Sequence, residues 1–255
     1  MKKTLRALSL IVAAAIILCC FAGCGEKKES EKIVFGTNAE FPPFEFISSV
    51  NNGTIGEFDG IDINIAKIIG EKIGKTAEIS NIEFDSLLIA LNNGQIDAAI
   101  AGMTITEERK QSVDFSIPYY TATQVMIVKE GSDIQTAADM QGKKIAVVQG
   151  YTGETCVQNL GFEYEAFKKG TECILELVNG KCDVVVIDSA TAEKFIGDNP
   201  GLVIIEDNTQ FEKEEYGIAV AKGNTELLDS INTVLQQIID DGTLADLAVK
   251  YIDEM

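Results

Sequence analysis

The sequence contains no histidine and no tryptophan, and it has only 21 lysine and arginine residues against 40 aspartate and glutamate residues. Without histidine, catalytic triads of the Ser-His-Asp type and histidine metal sites are excluded. The formal net charge of −19 argues against nucleic acid as a partner, because phosphate binding needs clustered lysine and arginine. The same charge argues against tight docking of the folded chain on anionic lipid.

Cysteine is scarce after residue 24, where only Cys156, Cys173 and Cys182 remain. No two of them have the Cys-x-x-Cys spacing that is typical of zinc ribbons and thioredoxin-like motifs. Because three is an odd number, at least one thiol has no partner within the chain. We expect all three to be buried as small apolar residues of the core, and we do not expect two of them to form a disulfide.

The first 23 residues have the pattern of a secretory signal peptide. A basic start precedes an apolar run from Leu8 to Phe21, which is shorter than the roughly 20 residues of a membrane-spanning helix. The run ends in "FAGC", which resembles a bacterial lipobox with Cys24 as the lipidated residue, although Phe21 stands where leucine is usual. Residues 24–32 would then be a lipidated N-terminus and polar tether that hold the rest of the chain outside the cytoplasmic membrane. A plain signal peptide or a spanning helix is the alternative.

From residue 33 onward, the pattern of apolar residues predicts an α/β protein. The segments "IVF", "AEISNIEF" and "IDAAIAG" have the composition of strands, and "GIDINIAKIIGEKIG" and "DSLLIALNNG" show helical spacing. We expect Asp62 and Asp85 to cap these two helices. This βαβαβ series predicts a parallel sheet with helices on its faces, and a second such series runs from "GKKIAVVQG" to "SATAEKFIG".

Two segments, "NNGQIDAAIAGMT" and "VNGKCDVVVIDSAT", share one shape. In each, a helix ends in Asn-Gly, and an apolar strand follows an aspartate and opens onto polar residues. This echo predicts two lobes with the same topology. Because ligands bind beyond the carboxyl ends of strands in open α/β sheets, we expect a site in the cleft between the lobes.

Arg109 and Asp188 are the candidate ligand-binding charges of the two lobes. Thr106 can cap a helix that begins just after it, and the amides there, with Gly102 and Thr104, offer donors to an anion. An arginine in that setting can hold a carboxylate with two parallel hydrogen bonds. Asp188 ends the apolar run "CDVVVID", where a carboxylate needs a cation or hydrogen-bond donors.

Both charges also have a structural alternative. Arg109 could pair on the surface with an acidic neighbour such as Glu107 or Asp114, and Asp188 could cap the helix that follows it. Taken together, a guanidinium from one lobe and a carboxylate from the other suit a ligand that is itself a zwitterion, an α-amino acid. The glycine-rich turn "QGYTG", residues 149–153, could add backbone donors for the ligand carboxylate.

At these residues the chain resembles the polar amino acid-binding family (family 3) of ABC-transporter solute-binding proteins, which contains glutamine-, histidine- and arginine-binding proteins. The resemblance extends from about Ile33 to Ile252 and is carried by "GTNAEFPPFEF", "GIDINIAKIIGEKIG", "FDSLLIALNNGQIDAAIAGMTITEERKQSVDFSIPYY", "VVQGYTGET", "DVVVIDSA" and "EYGIAV". It implies a two-lobed periplasmic-binding-protein-like fold of type II, with hinge crossovers near "TATQVMIV" and "EYGIAV". We therefore expect lobe 1 over residues 33–122 and 217–255, and lobe 2 over residues 123–216.

The resemblance also implies which residues bind the two charged groups of the ligand. Gly102, Thr104 and Arg109 would hold the α-carboxylate. Thr152 would join them from the second lobe. Asp188 would bind the α-ammonium.

The residues around the ligand side chain follow from the same resemblance. Phe41 and Phe84 match aromatic positions that flank it. Asn38 matches a position that is acidic in several relatives, and Val148 stands where the glutamine-binding pattern has a lysine. The negative charge that would recognise a cationic side chain of the ligand could then come from acids nearby in sequence, namely Glu40, Glu45 and Asp85. We expect a polar or cationic ligand.

The expected function is capture of an amino acid by hinge closure and its delivery to an ABC-transporter permease at the extracytoplasmic face of the membrane. The expected partners are the free amino acid, the permease and the membrane through the N-terminal lipid. We expect a monomer without cofactor, metal or nucleic acid.

An enzyme similar to cyclohexadienyl dehydratases is one alternative, but no general acid stands out by its spacing. A sensory receptor is another, and it would continue into a spanning helix beyond Met255.

Overall fold

The computed structural model describes residues 31–49 and 52–253. The predicted signal peptide and the predicted lipidation site, Cys24, lie outside the described residues. Among the helices that are described, none has both the length and the apolar character needed to cross a bilayer.

The strands, in chain order, are β1 (Lys32–Thr37), β2 (Glu40–Phe41), β3 (Glu45–Ile47), β4 (Phe58–Asp59), β5 (Thr76–Asn81), β6 (Ala98–Ala99), β7 (Val113–Phe115), β8 (Tyr120–Lys129), β9 (Ile145–Val148), β10 (Tyr164–Phe167), β11 (Val184–Asp188), β12 (Leu202–Ile205), β13 (Lys213–Tyr216) and β14 (Ala219–Ala221). The α-helices are α1 (Ile61–Lys72), α2 (Leu87–Asn92), α3 (Thr152–Asn159), α4 (Gly170–Val178), α5 (Ser189–Asp198), α6 (Thr225–Asp240) and α7 (Thr243–Ala248). Short 3₁₀ helices cover Phe84–Ser86, Arg109–Gln111 and Ala137–Met140, and Val249–Asp253 is a π-helical turn.

Two large sheets share the same arrangement of parallel strands. The first has the order β5-β1-β6-β14-β7, with β1 parallel to both β5 and β6. The second has the order β10-β9-β11-β8-β12, with β9 parallel to both β10 and β11. The two echoing segments of the sequence form β6 and β11, which hold the same place in their sheets. The predicted two-lobed α/β fold is therefore confirmed, with one lobe built on each sheet.

Two strands cross between the lobes side by side. The first half of β8 pairs with β13, which joins Tyr120 to Tyr216 and Thr123 to Lys213, and its second half pairs with β11 and β12 of the second sheet. After β13 the chain enters β14 of the first sheet. These are the crossovers that the sequence places near "TATQVMIV" and "EYGIAV". The proposed lobe boundaries, at residues 122–123 and 216–217, fall in this ribbon.

The central strands of the second sheet are buried on both faces, as expected for parallel strands that helices cover on each side. One face contributes to the larger core cluster through Ala146, Val148, Val185 and Ile187, and the other face forms a second cluster through Ile145, Val147, Val184 and Val186. The predicted burial is confirmed for two of the three cysteines: Cys173 and Cys182 are buried free thiols, whereas Cys156 is a free thiol that is only partly buried.

The two helix caps predicted from the sequence are wrong. Gly60 precedes α1, and Asp62 lies in the first turn of that helix with its side chain fully buried. Its Oδ2 atom accepts hydrogen bonds from the Gly102 N–H group at 2.8 Å and from the Tyr119 hydroxyl at 2.9 Å. Asp85 lies inside the 3₁₀ turn that precedes α2 and caps neither element. Both carboxylates bind partners distant in the chain, which a local pattern does not reveal.

Candidate functional site

The segments that follow four parallel strands meet at one place. β1 leads to Asn38, β6 leads to Gly102 and Thr104, β9 leads to Thr152, and β11 ends at Asp188. A cavity of about 10 Å³ lies here, and it is lined by Phe41, Phe84, Ala101, Gly102, Thr104, Arg109, Tyr151, Thr152 and Asp188. Of the predicted ligand-binding residues, only Asn38 is outside this lining. A cavity of this size holds about one water molecule, so the cleft is closed in this structure.

Gly102 matters to the site because a side chain at this position would clash with Phe41. Its φ angle is +51°, and a Cβ atom added there would lie 2.5 Å from the ring of Phe41. The Gly102 N–H group was expected to be a donor for an anion. This expectation is wrong for the closed cleft, because the group already donates to Asp62.

Arg109 holds segments of both lobes together. Its backbone N–H group donates to Oγ1 of Thr106 at 3.1 Å. The predicted helix is a single 3₁₀ turn that begins at Arg109, with Glu108 rather than Thr106 at its N-cap. The guanidinium donates to the carbonyl oxygens of Thr104 at 2.7 Å and Gly150 at 2.9 Å. It also lies over the ring of Phe84, with 5.2 Å from Cζ to the ring centroid. Closure of the cleft therefore fixes the direction of this cation.

The surface pairing considered for Arg109 does not occur. Glu107 pairs with Lys110 at 2.8 Å, and Asp114 pairs with Lys222 at 2.7 Å. Burial lowers the pKa of Arg109, and nearby negative charge opposes that shift. Because the ordinary pKa of arginine lies far above neutrality, the side chain stays cationic.

Asp188 is a buried carboxylate with one phenol partner. It is 3% exposed, and its Oδ1 atom accepts a hydrogen bond from the hydroxyl of Tyr216 at 2.5 Å. It precedes α5 in the capping position, but its side chain makes no capping hydrogen bond, so the capping alternative is wrong. Burial, and then the charge of Glu214, raises the pKa of Asp188. A cation beside it would reverse this shift, which is the property expected of an ammonium site.

Glu214 and Gln124 belong to the site but were not singled out from the sequence. The Oε2 atom of Glu214 accepts hydrogen bonds from the hydroxyls of Thr152 at 2.6 Å and Thr104 at 2.9 Å, and from Nε2 of Gln124 at 3.3 Å. Gln124 directly precedes the apolar run of β8, and a polar residue at that position could have indicated a site residue. Glu214 stands in the charged run "EKEE", where nothing in the pattern separates it from its neighbours.

An aromatic wall closes another side of the cavity. Tyr151 packs edge-on against Phe84, with 4.5 Å between ring centroids, and against Phe41, with 5.3 Å. Its hydroxyl is 3.4 Å from Oδ1 of Asn38, whose amide donates to the carbonyl oxygen of Ile82 at 3.1 Å. Burial raises the pKa of Tyr151, so the phenol remains neutral. Asn38 therefore lies behind the aromatic wall.

The three acids proposed to recognise a cationic ligand side chain do not line the cavity. Glu40 pairs with Lys169 at 2.7 Å, and Asp85 pairs with Lys168 at 2.7 Å. Glu45 is fully buried, and burial followed by the charge of Asp62 raises its pKa well above the usual range. In the closed cleft, none of the three offers a free carboxylate to a ligand.

Two lobes on matching sheets, crossing strands and a polar cleft at the strand ends define a two-lobed solute-binding protein. The chain belongs to the bacterial extracellular solute-binding proteins, family 3, whose pattern matches residues 33–254.

The comparisons with known proteins agree with this assignment. The chain is 32% identical to the arginine-binding extracellular protein ArtP of Bacillus subtilis (strain 168), over 98% of each chain. It is 33% identical to the ABC transporter glutamine-binding protein GlnH of the same organism, over 99% of this chain and 98% of the relative. Among solved structures, the arginine-, lysine-, histidine-binding protein ArtJ of Geobacillus stearothermophilus superposes with a TM-score of 0.81 at 36% identity, over 88% of this chain and 96% of that one.

Proposed function

We propose that this protein captures a free amino acid in the cleft and delivers it to an ABC-transporter permease. In this proposal Arg109, Thr104 and Thr152 hold the ligand carboxylate, Gly102 leaves room for the ligand, and Asp188 binds the ammonium. Phe41 and Phe84 pack beside the ligand side chain, and Asn38 supports them through Tyr151. The relatives named as arginine- and glutamine-binding proteins support an amino acid as the ligand.

One observation carries the proposal: the guanidinium of Arg109 and the carboxylate of Asp188 line the same cavity, although Arg109 lies between two strands of the first sheet and Asp188 ends a strand of the second. A ligand with both charges contacts both partners only when the lobes are closed. Its differential affinity would therefore shift the protein from an open to a closed form by a hinge motion about the crossing strands.

The location is part of the proposal. Residues 1–23 act as a signal peptide, Cys24 carries the lipid, and residues 24–32 tether the lobes to the outer face of the cell membrane. The lobes, residues 33–122 with 217–255 and residues 123–216, work there as a monomer without cofactor and without enzymatic activity. The family's extracellular character supports this placement.

The experiment that tests the proposed function is a thermal-shift panel of the twenty amino acids. A ligand at about 100 times its Kd stabilises the native state by about 2.7 kcal/mol, which raises Tm by roughly 5–10 °C for a chain of this size. We expect such a shift with at least one polar or cationic amino acid.

The matched controls are the N-acetylated and the carboxamide forms of the amino acid that gives the largest shift. Each lacks one of the two charges, so each should lose most of the shift. The proposed function is wrong if no free amino acid raises Tm, or if both blocked forms stabilise the protein as well as the free ligand.

A further inference from the structure

Glu214 holds the position in the closed cleft at which three hydrogen-bond donors converge. The hydroxyls of Thr152 and Thr104 donate to its Oε2 atom at 2.6 and 2.9 Å, and the amide of Gln124 donates at 3.3 Å. Thr104 follows β6 of the first lobe, whereas Thr152 and Gln124 belong to the second lobe. The carboxylate of Glu214 therefore bridges the lobes, as the carboxylate of a bound amino acid would.

The donors are the same groups that the proposed function assigns to the ligand. Thr104 and Thr152 are two of the residues proposed to hold the ligand carboxylate. The charge of Glu214 also acts on Arg109, where it opposes the lowering of the pKa by burial, and on Asp188, whose pKa it helps burial to raise. The carboxylate of Glu214 thus lies in the electrostatic environment that would hold the ligand carboxylate.

The two carboxylates exclude each other. Thr104 and Thr152 line the cavity that contains Arg109 and Asp188, and together with Glu214 they also line an open groove of about 740 Å³. Each threonine hydroxyl has a single proton, and both protons are donated to Glu214. Two like charges at about 4 Å repel by roughly 4 kcal/mol near a protein surface, so a ligand carboxylate cannot share these hydroxyls with the side chain of Glu214.

We propose that Glu214 is a resident competitor of the ligand: its carboxylate occupies the ligand-carboxylate subsite in the closed cleft and leaves when an amino acid binds. This inference rests on the proposed function. Because Glu214 lies on β13, a crossing strand, its release accompanies the hinge motion. Glu214 thereby determines how tightly the protein binds carboxylate-bearing ligands, while ligands without a carboxylate do not compete with it.

The test is calorimetric titration of the Glu214→Gln and Glu214→Ala variants with two probes. The first probe is the amino acid with the largest thermal shift, and the second is the amine that its decarboxylation gives, which is agmatine in the case of L-arginine. If the Glu214-occupied state holds about nine molecules in ten, its removal lowers the apparent Kd for the amino acid about tenfold. We expect that gain in both variants, with the larger gain for alanine, and no gain for the amine.

A second readout separates competition from a merely structural role. Both variants lose hydrogen bonds of the ligand-free protein, so its Tm should fall while its affinity for the amino acid rises. Glu215→Gln, an exposed acid on the same strand, is the matched control and should change neither quantity. The inference is overturned if the variants bind the amino acid as well as the wild type or more weakly, since a weaker complex means that Glu214 binds the ligand ammonium. A wild-type protein that binds no amino acid refutes the proposed function instead.

Discussion

At the scale of single residues, three buried acids shape the site. Asp62 supports Gly102, Glu45 lies near Asp62, and Asp188 faces the cavity. Burial raises the pKa of Asp62 to about 6, and it also raises the pKa of Glu45 and Asp188. The folded protein therefore binds more protons than the unfolded chain between about pH 4 and pH 6–7.

The consequence is a stability that falls as pH rises. A carboxyl whose folded pKa is raised contributes stability below its unfolded pKa of about 4 and loses it above its folded pKa. For Asp62, the difference between a folded pKa of about 6 and an unfolded pKa of about 4 corresponds to about 3 kcal/mol of stability. We expect chemical denaturation to give a larger free energy of unfolding at pH 5 than at pH 8.

The source of this pH effect can be assigned with one variant. Asp62→Asn keeps an acceptor for the Gly102 amide and the Tyr119 hydroxyl but cannot ionise, so its stability should depend less on pH. Glu57→Gln removes an exposed acid and tests for the general effect of net charge. Equal pH slopes for Asp62→Asn and the wild type would refute the assignment.

At the scale of elements, the segment between β10 and α4 fastens the closed cleft. Lys168 and Lys169 reach from the second lobe to Asp85 and Glu40 of the first lobe, each with 2.7 Å between the charged atoms. The lysine side chains are 47% and 42% exposed, so each ion pair contributes only about 0–1 kcal/mol. That is enough to bias an equilibrium between open and closed forms but not to determine folding.

The double variant Lys168→Ala, Lys169→Ala should therefore favour the open form. We expect a larger radius of gyration for the ligand-free protein in small-angle X-ray scattering, and an apparent Kd for the amino acid that rises about two- to tenfold. The Tm should change by no more than a few degrees.

The matched control for the lysine pair lies within the second lobe. Lys181, whose side chain is 64% exposed, pairs with Glu176 at 2.8 Å, so Lys181→Ala removes an exposed ion pair that does not join the lobes. If the control variant opens the protein as much as the double variant does, the two lysines do not act as a fastening.

Elements were more predictable than contacts. The echo between β6 and β11 follows from local apolar patterns, and it gave the repeated topology correctly. The roles of Asp62 and Glu214 could not be found this way, since their partners are 40 and 62–110 residues away in sequence. Arg109 and Asp188 could be found because charged residues stand out at the ends of apolar strands.

At the scale of the whole molecule, the binding mechanism depends on two lobes that meet at the cleft and are joined by the crossing strands. The structure shows the closed form, with Arg109 bonded to the carbonyl oxygens of Thr104 and Gly150. A ligand that binds Arg109 from one lobe and Asp188 from the other favours closure because an open form separates its two partners.

The central claim, that these two charges hold a zwitterion between the lobes, is tested most directly by calorimetric titration of Arg109→Ala and Asp188→Ala with the ligand from the amino acid panel. Each variant leaves one ligand charge unpaired in a closed cleft, so each should raise Kd more than tenfold. Lys110→Ala, a neighbouring cation that does not line the cavity, should leave Kd unchanged. Wild-type affinity in both Arg109→Ala and Asp188→Ala would contradict the account.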